Sequence, residues 1–435
     1  MLKIAMIGAG SHVFARRLLS DILTWPSLSE ATVSLMDIDA TRLETMAALA
    51  RKMVCQSGTR VTIEATTDLS KALEGARYVT VSIRVGESRA HITIPLKYGI
   101  NQAIGDTTGP GGVFYFLKNA PAVLEIARAM ERFCPDALML NYTNPMVMLC
   151  WMLQKASSIR FVGLCHSVQG TAENLARYIR VPFDEVSYWA AGINHMSWFL
   201  QYRWRGQDAY PLIWKAMEDP DIYAQDIVKW EILKYFGAFV SESSIHASEY
   251  LPYFRRTPEL IERHTSERMW GVPRKGISPE ERWAEVMARR AEQDRELERL
   301  AMSDEPIPID RSREYCSYIL NAIETNVPYV FNGNVPNTGL ISNLPQGAIV
   351  EVPIVADGCG LHPCYVGDLP PALAALNRTS LNVQELAVKG FLERNREWIY
   401  QAVQLDPLTA SLLPLADIRR MVDEMFAADA QYITI

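Results

Sequence analysis

Short apolar runs alternate with longer amphipathic stretches over the first 165 residues of the chain. The apolar runs are Lys3–Ile7, Thr32–Met36, Arg60–Ala65, Tyr78–Ile83, Ala137–Leu140 and Arg160–Leu164. The stretches between them have helical spacing and include Phe14–Leu23, Thr41–Cys55 and Ala120–Phe133. Strands that alternate with helices predict parallel βαβ units, which pack as an open, doubly wound sheet of the α/β class.

The pattern changes beyond about residue 170, where helical spacing dominates. Extended stretches are still predicted at Val186–Ala190, Trp198–Trp204, Tyr329–Asn332, Ala348–Pro353 and Cys364–Val366. No flexible linker separates the two parts, which favours a second, α+β domain built directly on the first. The predicted domains are therefore residues 1–170 and residues 171–435.

The segment Glu280–Leu300 is highly charged and has only a sparse apolar stripe, formed by Trp283, Val286, Met287 and Leu297. A stripe this sparse predicts a solvent-facing helix, or an arm that packs on a neighbouring subunit.

Composition narrows the function classes. Of the 435 residues, 49% are apolar and 21% are charged, a balance typical of a globular protein. The formal net charge of −7, without a long basic run, argues against a nucleic-acid partner. No run approaches about 18 consecutive apolar residues, so no membrane-spanning helix is expected. The N-terminus is expected to be a mature cytoplasmic start, and seven cysteines without framework spacing favour a reducing compartment.

A nucleotide-binding signal follows the first predicted strand. Gly8 and Gly10, followed by Ser11, allow a tight turn and let backbone amides approach a pyrophosphate at the start of a helix. The third glycine of the full fingerprint is absent, so a plain strand-to-helix turn is also compatible with this motif. Asp37 closes the second strand, where an acid can accept ribose hydroxyls and would favour NAD over NADP.

The same edge of the predicted sheet carries further polar groups. The run Asn141-Tyr142-Thr143-Asn144-Pro145 follows the fifth strand, at the nicotinamide end of dehydrogenase-like sheets. These residues, with Gly8, Gly10, Ser11 and Asp37, predict a dinucleotide site to which Asn141 contributes. The alternative is a nucleotide-free Rossmann-like scaffold in which Asp37 caps a helix.

A possible metal site is indicated by Cys165 and His195. Cys165 comes directly after an apolar strand, and His195 follows in Gly192-Ile193-Asn194-His195. One thiolate and one imidazole could hold a divalent ion while leaving positions open for substrate oxygens and water. Their spacing is equally compatible with a buried cysteine and a histidine satisfied in the core.

Two other segments carry candidate chemistry. On a helix, His246 and Tyr250 would share a face, with Ser243 one turn earlier. That face could present a base to a pocket, or Ser243 could simply cap the start of a helix. The segment Gly105–Gly112 is too rich in glycine for a regular element, so it is predicted to approach a ligand closely or to be mobile, with a plain surface turn as the alternative.

Taken together, these motifs resemble those of the family 4 glycoside hydrolases, and within them the α-galactosidases. The resemblance extends over essentially the whole chain. It rests on Gly8-Ala9-Gly10-Ser11, Asp106-Thr107, Asn141-Tyr142-Thr143-Asn144-Pro145, Cys165-His166-Ser167-Val168-Gln169, Gly192-Ile193-Asn194-His195, Glu242-Ser243-Ser244 with His246 and Glu249-Tyr250, Asn337-Thr338-Gly339-Leu340-Ile341 and Asn343-Leu344-Pro345.

The resemblance implies a fold related to the lactate and malate dehydrogenases, with NAD and a divalent metal such as Mn²⁺ as cofactors. It also implies a redox-assisted hydrolysis, which departs from the usual scheme of two carboxylates. NAD⁺ takes hydride from carbon 3 of the sugar, a base removes the proton from carbon 2, and the aglycone leaves by elimination. Water then adds to the intermediate, and NADH returns its hydride.

The resemblance also implies roles for individual residues. Cys165 and His195 match the metal ligands of the family, and His166 is the candidate proton donor to the leaving oxygen. Asn144 and Arg89 are the candidate substrate-binding residues. The candidate base at carbon 2 is His246, with Tyr250 or a metal-bound hydroxide as alternatives.

The sugar is expected to be an α-galactoside, with an α-glucoside or α-galacturonide as alternatives. Galacturonidases of the family tend to carry Asp-Arg-His where Ser244-Ile245-His246 stands, and an arginine there would pair with a uronate. From a different class, an NAD-dependent dehydrogenase of a sugar or 2-hydroxy acid would use the same sheet, and a non-catalytic NAD sensor is a third possibility. The expected partners are a small sugar substrate and further copies of the chain, as a homodimer or homotetramer.

Overall fold

The computed structural model describes residues 2–272 and 279–435. Six parallel strands form the first half of its sheet, in the spatial order β3-β2-β1-β4-β5-β6. They are β1 (Lys3–Ile7), β2 (Thr32–Met36), β3 (Thr62–Thr66), β4 (Tyr78–Val81), β5 (Leu138–Asn141) and β6 (Arg160–Gly163). This is the strand order of the dinucleotide-binding fold, so the predicted doubly wound α/β sheet is confirmed.

Helices cover both faces of these strands, which explains why the central strands are almost wholly apolar. Residues such as Ile4, Val79 and Val162 are completely buried. The helices of this half are α1 (His12–Leu23), α2 (Ala40–Ser57), α3 (Leu69–Leu73), α4 (Ala90–Lys97), α5 (Gly109–Phe133) and α6 (Met146–Ala156). Asp39 begins α2, where its carboxylate accepts hydrogen bonds from the amides of Thr41 and Arg42.

Helix α5 begins earlier than its apolar pattern predicts. It starts at Gly109 and not at Ala120, so the glycine-rich segment supplies the first turn of a regular helix. A Cβ atom on Gly111 would lie 2.4 Å from the carbonyl oxygen of Gly105, and one on Gly112 would lie 2.4 Å from the backbone of Thr107. The glycines are therefore needed because the preceding segment folds back tightly against the helix.

The sheet continues without a break into the second half of the chain. Its further strands are β7 (Val186–Ile193), β8 (Met196–Trp204), β9 (Gln207–Asp208), β10 (Tyr329–Pro336), β11 (Ile349–Asp357) and β12 (Gly360–Pro363). Strand β10 joins antiparallel to β6 where Asn334 pairs with Gly163, and β11, β7, β8 and β9 follow. The prediction of a strand at Cys364–Val366 is wrong, because the chain leaves the sheet after Pro363.

The helices of the second half surround this antiparallel extension. They are α7 (Ser167–Tyr178), α8 (Tyr210–Ala216), α9 (Pro220–Tyr223), α10 (Ile227–Phe236), α11 (Ser244–Tyr250), α12 (Pro258–Arg263), α13 (Pro279–Met302), α14 (Tyr315–Thr325), α15 (Pro371–Leu392), α16 (Arg396–Gln404), α17 (Pro407–Leu412) and α18 (Leu415–Ala428). Because one sheet crosses residue 170, the division into residues 1–170 and 171–435 stays a prediction.

Helix α13 is the charged segment that the sequence predicts as a helix. It packs on α2, and its Leu297 is buried in the hydrophobic core. Trp283, which also belongs to the predicted apolar stripe, has a side chain outside the described residues. Among residues 2–272 and 279–435, no helix has the length and apolar character needed to cross a membrane.

Candidate active site

The glycine turn after β1 is shaped by close contact with the neighbouring strands. Gly8 has a φ of +87°, and a Cβ atom there would lie 2.1 Å from the carbonyl oxygen of Ser82 after β4. The amide of Gly10 donates a hydrogen bond of 2.7 Å to Oδ2 of Asp37, at the end of β2. Asp37 therefore fixes the glycine turn, and its predicted contact with a ribose remains a prediction.

The residues around this turn fit a dinucleotide. Ser11, the residue before α1, makes no capping hydrogen bond with its side chain, and the start of a helix is a place where backbone amides bind anions. Arg290 of α13 lies in the same region, where burial and the charges of Arg84 and Arg42 lower the pKa of its guanidinium. Arg42 pairs with Asp294 of α13 at 3.0 Å, and guanidinium groups beside a glycine turn suit a pyrophosphate group.

The side chain of Asn141 makes local hydrogen bonds after β5. Its side chain is fully buried, donates to the carbonyl of Thr143 at 3.1 Å and accepts from the amide of Thr143 at 3.1 Å. The side chain therefore stabilises the turn after β5, and its predicted contact with a dinucleotide remains a prediction. Thr143 in turn accepts a hydrogen bond from the amide of Ile83 at 3.1 Å, which joins the ends of β4 and β5.

Cys165 and His195 come together although 30 residues separate them in the chain. Cys165 follows the end of β6, and His195 lies in the tight turn between β7 and β8 with a φ of +65°. Sγ of Cys165 lies 3.3 Å from Nε2 of His195. Burial, together with the negative charges of Glu242 and Glu351, raises the pKa of the Cys165 thiol to about 12.

Glu242 brings a third donor atom to this pair. Its Oε2 lies 3.4 Å from Nε2 of His195, and the donor atoms of Cys165, His195 and Glu242 all lie within 4.8 Å of one another. Burial acts to raise the pKa of Glu242, but the electrostatic influence of the nearby His195 and His246 rings and the hydrogen bond from the amide of Ser243 outweigh it and lower this pKa to about 2. One sulfur, one nitrogen and one oxygen at such distances suit a divalent metal with open coordination positions.

His246 lies beside these donors on α11, and its ring centroid is 4.7 Å from that of His195. Ser243 caps the helix by accepting from the amide of His246 at 3.3 Å, so the motif both starts a helix and presents a histidine. Nε2 of His246 lies 2.6 Å from Oγ1 of Thr107, and Nδ1 lies 3.4 Å from Oε2 of Glu249. The hydroxyl of Thr107 therefore fixes the imidazole at Nε2, and the carboxylate of Glu249 lies beside Nδ1.

The partners of His246 are themselves anchored. Glu249 accepts hydrogen bonds from the amides of Ile104 at 2.6 Å and Gly105 at 3.1 Å. Tyr250 donates from its hydroxyl to Oγ1 of Thr107 at 3.1 Å. Since that oxygen already accepts from Tyr250, its own hydrogen is available to Nε2 of His246. Burial raises the pKa of the Tyr250 phenol well above 10.

His166 lies next to Cys165 but points outwards. Its side chain is 73% exposed, and Nδ1 lies 3.7 Å from Oε1 of Glu314. Glu314 also contacts the guanidinium of Arg17 on α1 at 3.4 Å, so one carboxylate links His166 to the helix after the glycine turn. A cavity of about 360 Å³ opens here, and it is lined by residues that include His166, Glu242, Arg177, Arg268 and Trp270.

Arg89 and Asn144 lie on neighbouring loops at the same edge. Arg89 is the residue before α4, and Asn144 follows β5. Asn119 of α5 connects the loops, because it donates to the carbonyl of Asn144 at 3.4 Å and accepts from the amide of Val85 at 2.8 Å. Their predicted contacts with substrate remain predictions.

Several site residues have no role assigned from the sequence. Glu242 and Glu249 belong to the motif around His246, but two acids in a polar segment give no sign of which histidine each will contact. The sequence around Thr107 likewise does not indicate which side chain it contacts. Glu351 is the single acid among the apolar residues of its strand segment, Ile349–Ile354. Burial raises the pKa of Glu351 to about 7, and its Oε2 accepts from Ser197 at 2.6 Å. A lone acid inside an apolar strand is the one signal that could have indicated it.

Comparison with known proteins gives consistent matches along the chain. The profile described as "Family 4 glycosyl hydrolase" matches residues 3–181, and "Family 4 glycosyl hydrolase C-terminal domain" matches residues 190–409. An alpha-galactosidase of Bacillus subtilis (strain 168) is 39% identical, and the alignment covers 100% of this chain and 99% of the relative. An alpha-galactosidase of Rhizobium meliloti (strain 1021) is 36% identical, over 99% and 89% of the two chains.

Solved structures share the same fold. A 6-phospho-alpha-glucosidase from gut microorganisms, solved in complex with NAD and Mn²⁺, superposes with a TM-score of 0.83 at 20% sequence identity. The superposition covers 99% of this chain and 99% of the other. The likeness therefore extends over both the parallel and the antiparallel parts of the sheet.

Proposed function

The chain belongs to family 4 of the glycosyl hydrolases and is a glycosidase, and we propose that it cleaves α-galactosides with the help of NAD and a divalent metal such as Mn²⁺. The observation that carries the proposal is the 3.3 Å approach of Cys165 Sγ to His195 Nε2 at the carboxyl edge of a dinucleotide-binding sheet. Ligands of such sheets bind at that edge, so a metal and a nicotinamide can reach one sugar ring.

Cys165 and His195 would hold the metal, and the glycine turn with Gly8, Gly10 and Ser11 would hold NAD. When bound, these groups supply a hydride acceptor for carbon 3 of the sugar and a Lewis acid for its oxygens. The protein supplies the rest: it orients the sugar, excludes water and moves protons. Arg89 and Asn144 are proposed to bind the sugar hydroxyls from the loops after β4 and β5.

His246 is proposed as the base that removes the proton from carbon 2. It is buried, and its Nε2 faces the hydroxyl of Thr107 while Nδ1 faces the carboxylate of Glu249. With a hydrogen on Nδ1, towards Glu249, the lone pair of the imidazole is on Nε2. The Thr107 hydroxyl donates to that lone pair at 2.6 Å, so it must turn away when Nε2 accepts the proton from carbon 2. The high pKa of Tyr250 favours the imidazole over the phenol for this task.

His166 is proposed as the acid that protonates the leaving oxygen. Its exposure and the cavity beside it support this role, because a leaving group must pass from the buried site towards solvent. The cavity wall combines an exposed indole, Trp270, with the guanidinium groups of Arg177 and Arg268. An aromatic face with polar groups around it suits a second sugar as the leaving group.

The residues at Ser244-Ile245-His246 favour an uncharged sugar over a uronate as the substrate. Ile245 stands at the centre of Ser244-Ile245-His246, where galacturonidases tend to have an arginine, and its side chain is buried. No cationic group is thus available from this position to pair with a carboxylate. A galactoside is therefore the first substrate to test, with the glucoside and galacturonide as alternatives.

A cytoplasmic location and a homodimeric or homotetrameric state complete the proposal. All seven cysteines are unpaired, which supports a reducing compartment. The charged helix α13 is proposed as the arm that packs on a second subunit. Light scattering of the purified protein would give the number of subunits.

The test of the function is a panel of nitrophenyl α-glycosides with NAD⁺, Mn²⁺ and a thiol reductant, each omitted in turn. We expect hydrolysis of the galactoside to require NAD⁺ and the metal and to leave no net NADH. NADH that accumulates in step with product would identify a dehydrogenase. Hydrolysis that persists in nucleotide-stripped protein without added NAD⁺ would reject the redox mechanism.

A further inference from the structure

Glu242 has a backbone conformation that glutamate rarely adopts. Its φ is +78°, in the left-handed region where a side chain crowds the backbone. Non-glycine residues keep such conformations only where their surroundings enforce them, and they cluster at functional sites. The strain at Glu242 therefore needs a local cause.

The cause lies in the contacts on both sides of the residue. Ser241 donates from its amide to the carbonyl of Ser197 at 2.8 Å, which fixes the chain before Glu242 against β8. Lys229 of α10 is buried and donates from Nζ to the carbonyl oxygen of Glu242 at 2.8 Å. These bonds hold the backbone of Glu242 in place whatever its carboxylate does.

The two carboxylate oxygens of Glu242 have different surroundings. Oε1 accepts a hydrogen bond from the amide of Ser243 at 3.0 Å. Oε2 is turned the other way, and it lies 3.4 Å from Nε2 of His195, within the group that also contains Sγ of Cys165. An acid with one oxygen anchored and the other directed at two metal ligands has the geometry of a ligand.

We propose that Glu242 is a third protein ligand of the metal, through Oε2, beside Cys165 and His195. The inference rests on the proposed function, because it presupposes that a metal binds to this pair. Thiolate and carboxylate together carry two negative charges, which balance a divalent cation. A carboxylate oxygen is a harder ligand, in the sense of hard and soft bases, than the cysteine sulfur or the histidine nitrogen. Its presence therefore favours Mn²⁺ or Fe²⁺ at the site. Three protein ligands leave positions open for substrate and water.

Lys229 acts here as a positioning residue. Its ammonium group also lies 3.2 Å from Oδ2 of Asp226 and 3.3 Å from Oγ1 of Thr171, so its position is fixed by three contacts. It contacts the main chain of Glu242 and not the carboxylate. It therefore sets the direction of the side chain without neutralising the charge that the metal requires.

The experiment measures metal binding in the absence of substrate. Metal-stripped, reduced protein is titrated with Mn²⁺, and free Mn²⁺ is followed by electron paramagnetic resonance. We expect Glu242→Gln to raise the Kd for Mn²⁺ about 100-fold, at the upper end of what the loss of a supporting residue costs. The matched control is Glu314→Gln, since Glu314 is also buried and contacts His166 beside Cys165. Its Kd should stay within about threefold of the wild type, below the range for such losses.

Two further measurements distinguish the loss of one metal ligand from misfolding of the site. The Co²⁺-loaded Glu242→Gln protein should show altered d–d absorption while it keeps the charge-transfer band of the Cys165 thiolate, which also shows that the site has folded. A crystal structure of Mn²⁺-loaded wild-type protein should place Oε2 of Glu242 at about 2.2 Å from the metal, the distance of a carboxylate ligand.

The outcomes separate the two proposals. An unchanged Kd and Co²⁺ spectrum in Glu242→Gln, or an Oε2 atom well beyond bonding distance from the ion, would overturn the third-ligand proposal alone. Wild-type protein that binds no Mn²⁺ at all would instead overturn the metal dependence of the proposed function.

Discussion

Two of the three donor residues at the site, His195 and Glu242, have left-handed backbones, with φ values of +65° and +78°. Each such conformation costs of order 1–3 kcal/mol for a residue with a side chain. Two residues of one small site carry this cost: His195 in the turn between β7 and β8, and Glu242 before the short helix α11. The strain therefore falls on the residues whose side chains must converge.

A residue-scale prediction concerns His166. Replacing it with Asn should lower kcat for a galactosyl disaccharide about 10²–10⁴-fold, the usual loss when a general acid is removed. The nitrophenyl galactoside should lose far less, because nitrophenolate leaves without a proton. Steady-state kinetics on both substrates measure the difference.

The control for this substitution is His362→Asn. His362 is half exposed and bonds to Asp357 at 2.8 Å, and it does not line the cavity beside His166. Its replacement should leave both substrates unaffected. Equal losses on the two substrates in His166→Asn would show that His166 does not protonate the leaving oxygen.

At the scale of elements, α5 shows why a glycine-rich stretch can be a helix. The first turn of α5 packs against the backbone of residues 105–107, which also donates to Glu249 and contacts His246 through Thr107. A side chain at Gly111 would push that segment away. The position of His246, the candidate base, therefore depends on the absence of a Cβ atom at Gly111.

This dependence gives an element-scale prediction. Gly111→Ala should lower the free energy of unfolding by about 1–3 kcal/mol, the usual cost of overpacking, and should also lower kcat. In Gly170→Ala, within α7, the new methyl group meets nothing within 4 Å, and the protein should become more stable by up to about 1 kcal/mol, the helix-propensity gain. Thermal unfolding by calorimetry, with kinetics on both variants, provides the measurement. A Gly111→Ala protein as stable and active as the wild type would contradict the close packing.

Element type was predictable where one residue pattern decides it. Buried strands such as Lys3–Ile7 and Thr32–Met36 are bounded as their apolar runs predict. The start of α5 was not predictable, because the sequence does not distinguish a glycine that permits close packing of a helix from a glycine in a loop. The motifs around Cys165 and His195 single out this pair, and their role as metal ligands stays a prediction. The orientation of Glu242 depends on its contacts with Lys229 and Ser243, which no sequence pattern indicates.

For the whole molecule, a buried ion pair ties the end of the chain to the interior. Lys118 of α5 and Asp429, just after α18, are both almost completely buried, and Nζ lies 3.5 Å from Oδ2. Lys118 also donates to the carbonyl of Ser88 at 3.1 Å, next to Arg89. The C-terminal segment thus supports the loop that carries a proposed substrate-binding arginine.

The whole-molecule prediction follows from the burial of this pair. Lys118→Met should destabilise the protein by about 3–5 kcal/mol, because Asp429 would be left as an unpaired buried charge. Replacing both residues, as Lys118→Met with Asp429→Leu, should restore most of that stability. Denaturant unfolding of the two single variants and the double variant measures the coupling.

The surface pair Lys389–Glu393 serves as the control for this cycle. Its members are 44% and 51% exposed, and removing either should change the stability by less than about 1 kcal/mol. A Lys118–Asp429 coupling as small as that of the surface pair would show that the interior at this point is hydrated.

The continuous sheet has a consequence for how substrate enters. Cys165 extends from β6 and His195 from the β7–β8 turn, and the strands between them are joined edge to edge through β10 and β11. Two lobes that swing apart on a hinge are not compatible with a shared, hydrogen-bonded framework. The distance between thiol and imidazole is therefore set once, when the chain folds, and a galactoside can reach these groups through the cavity beside His166 without a hinge motion of the sheet.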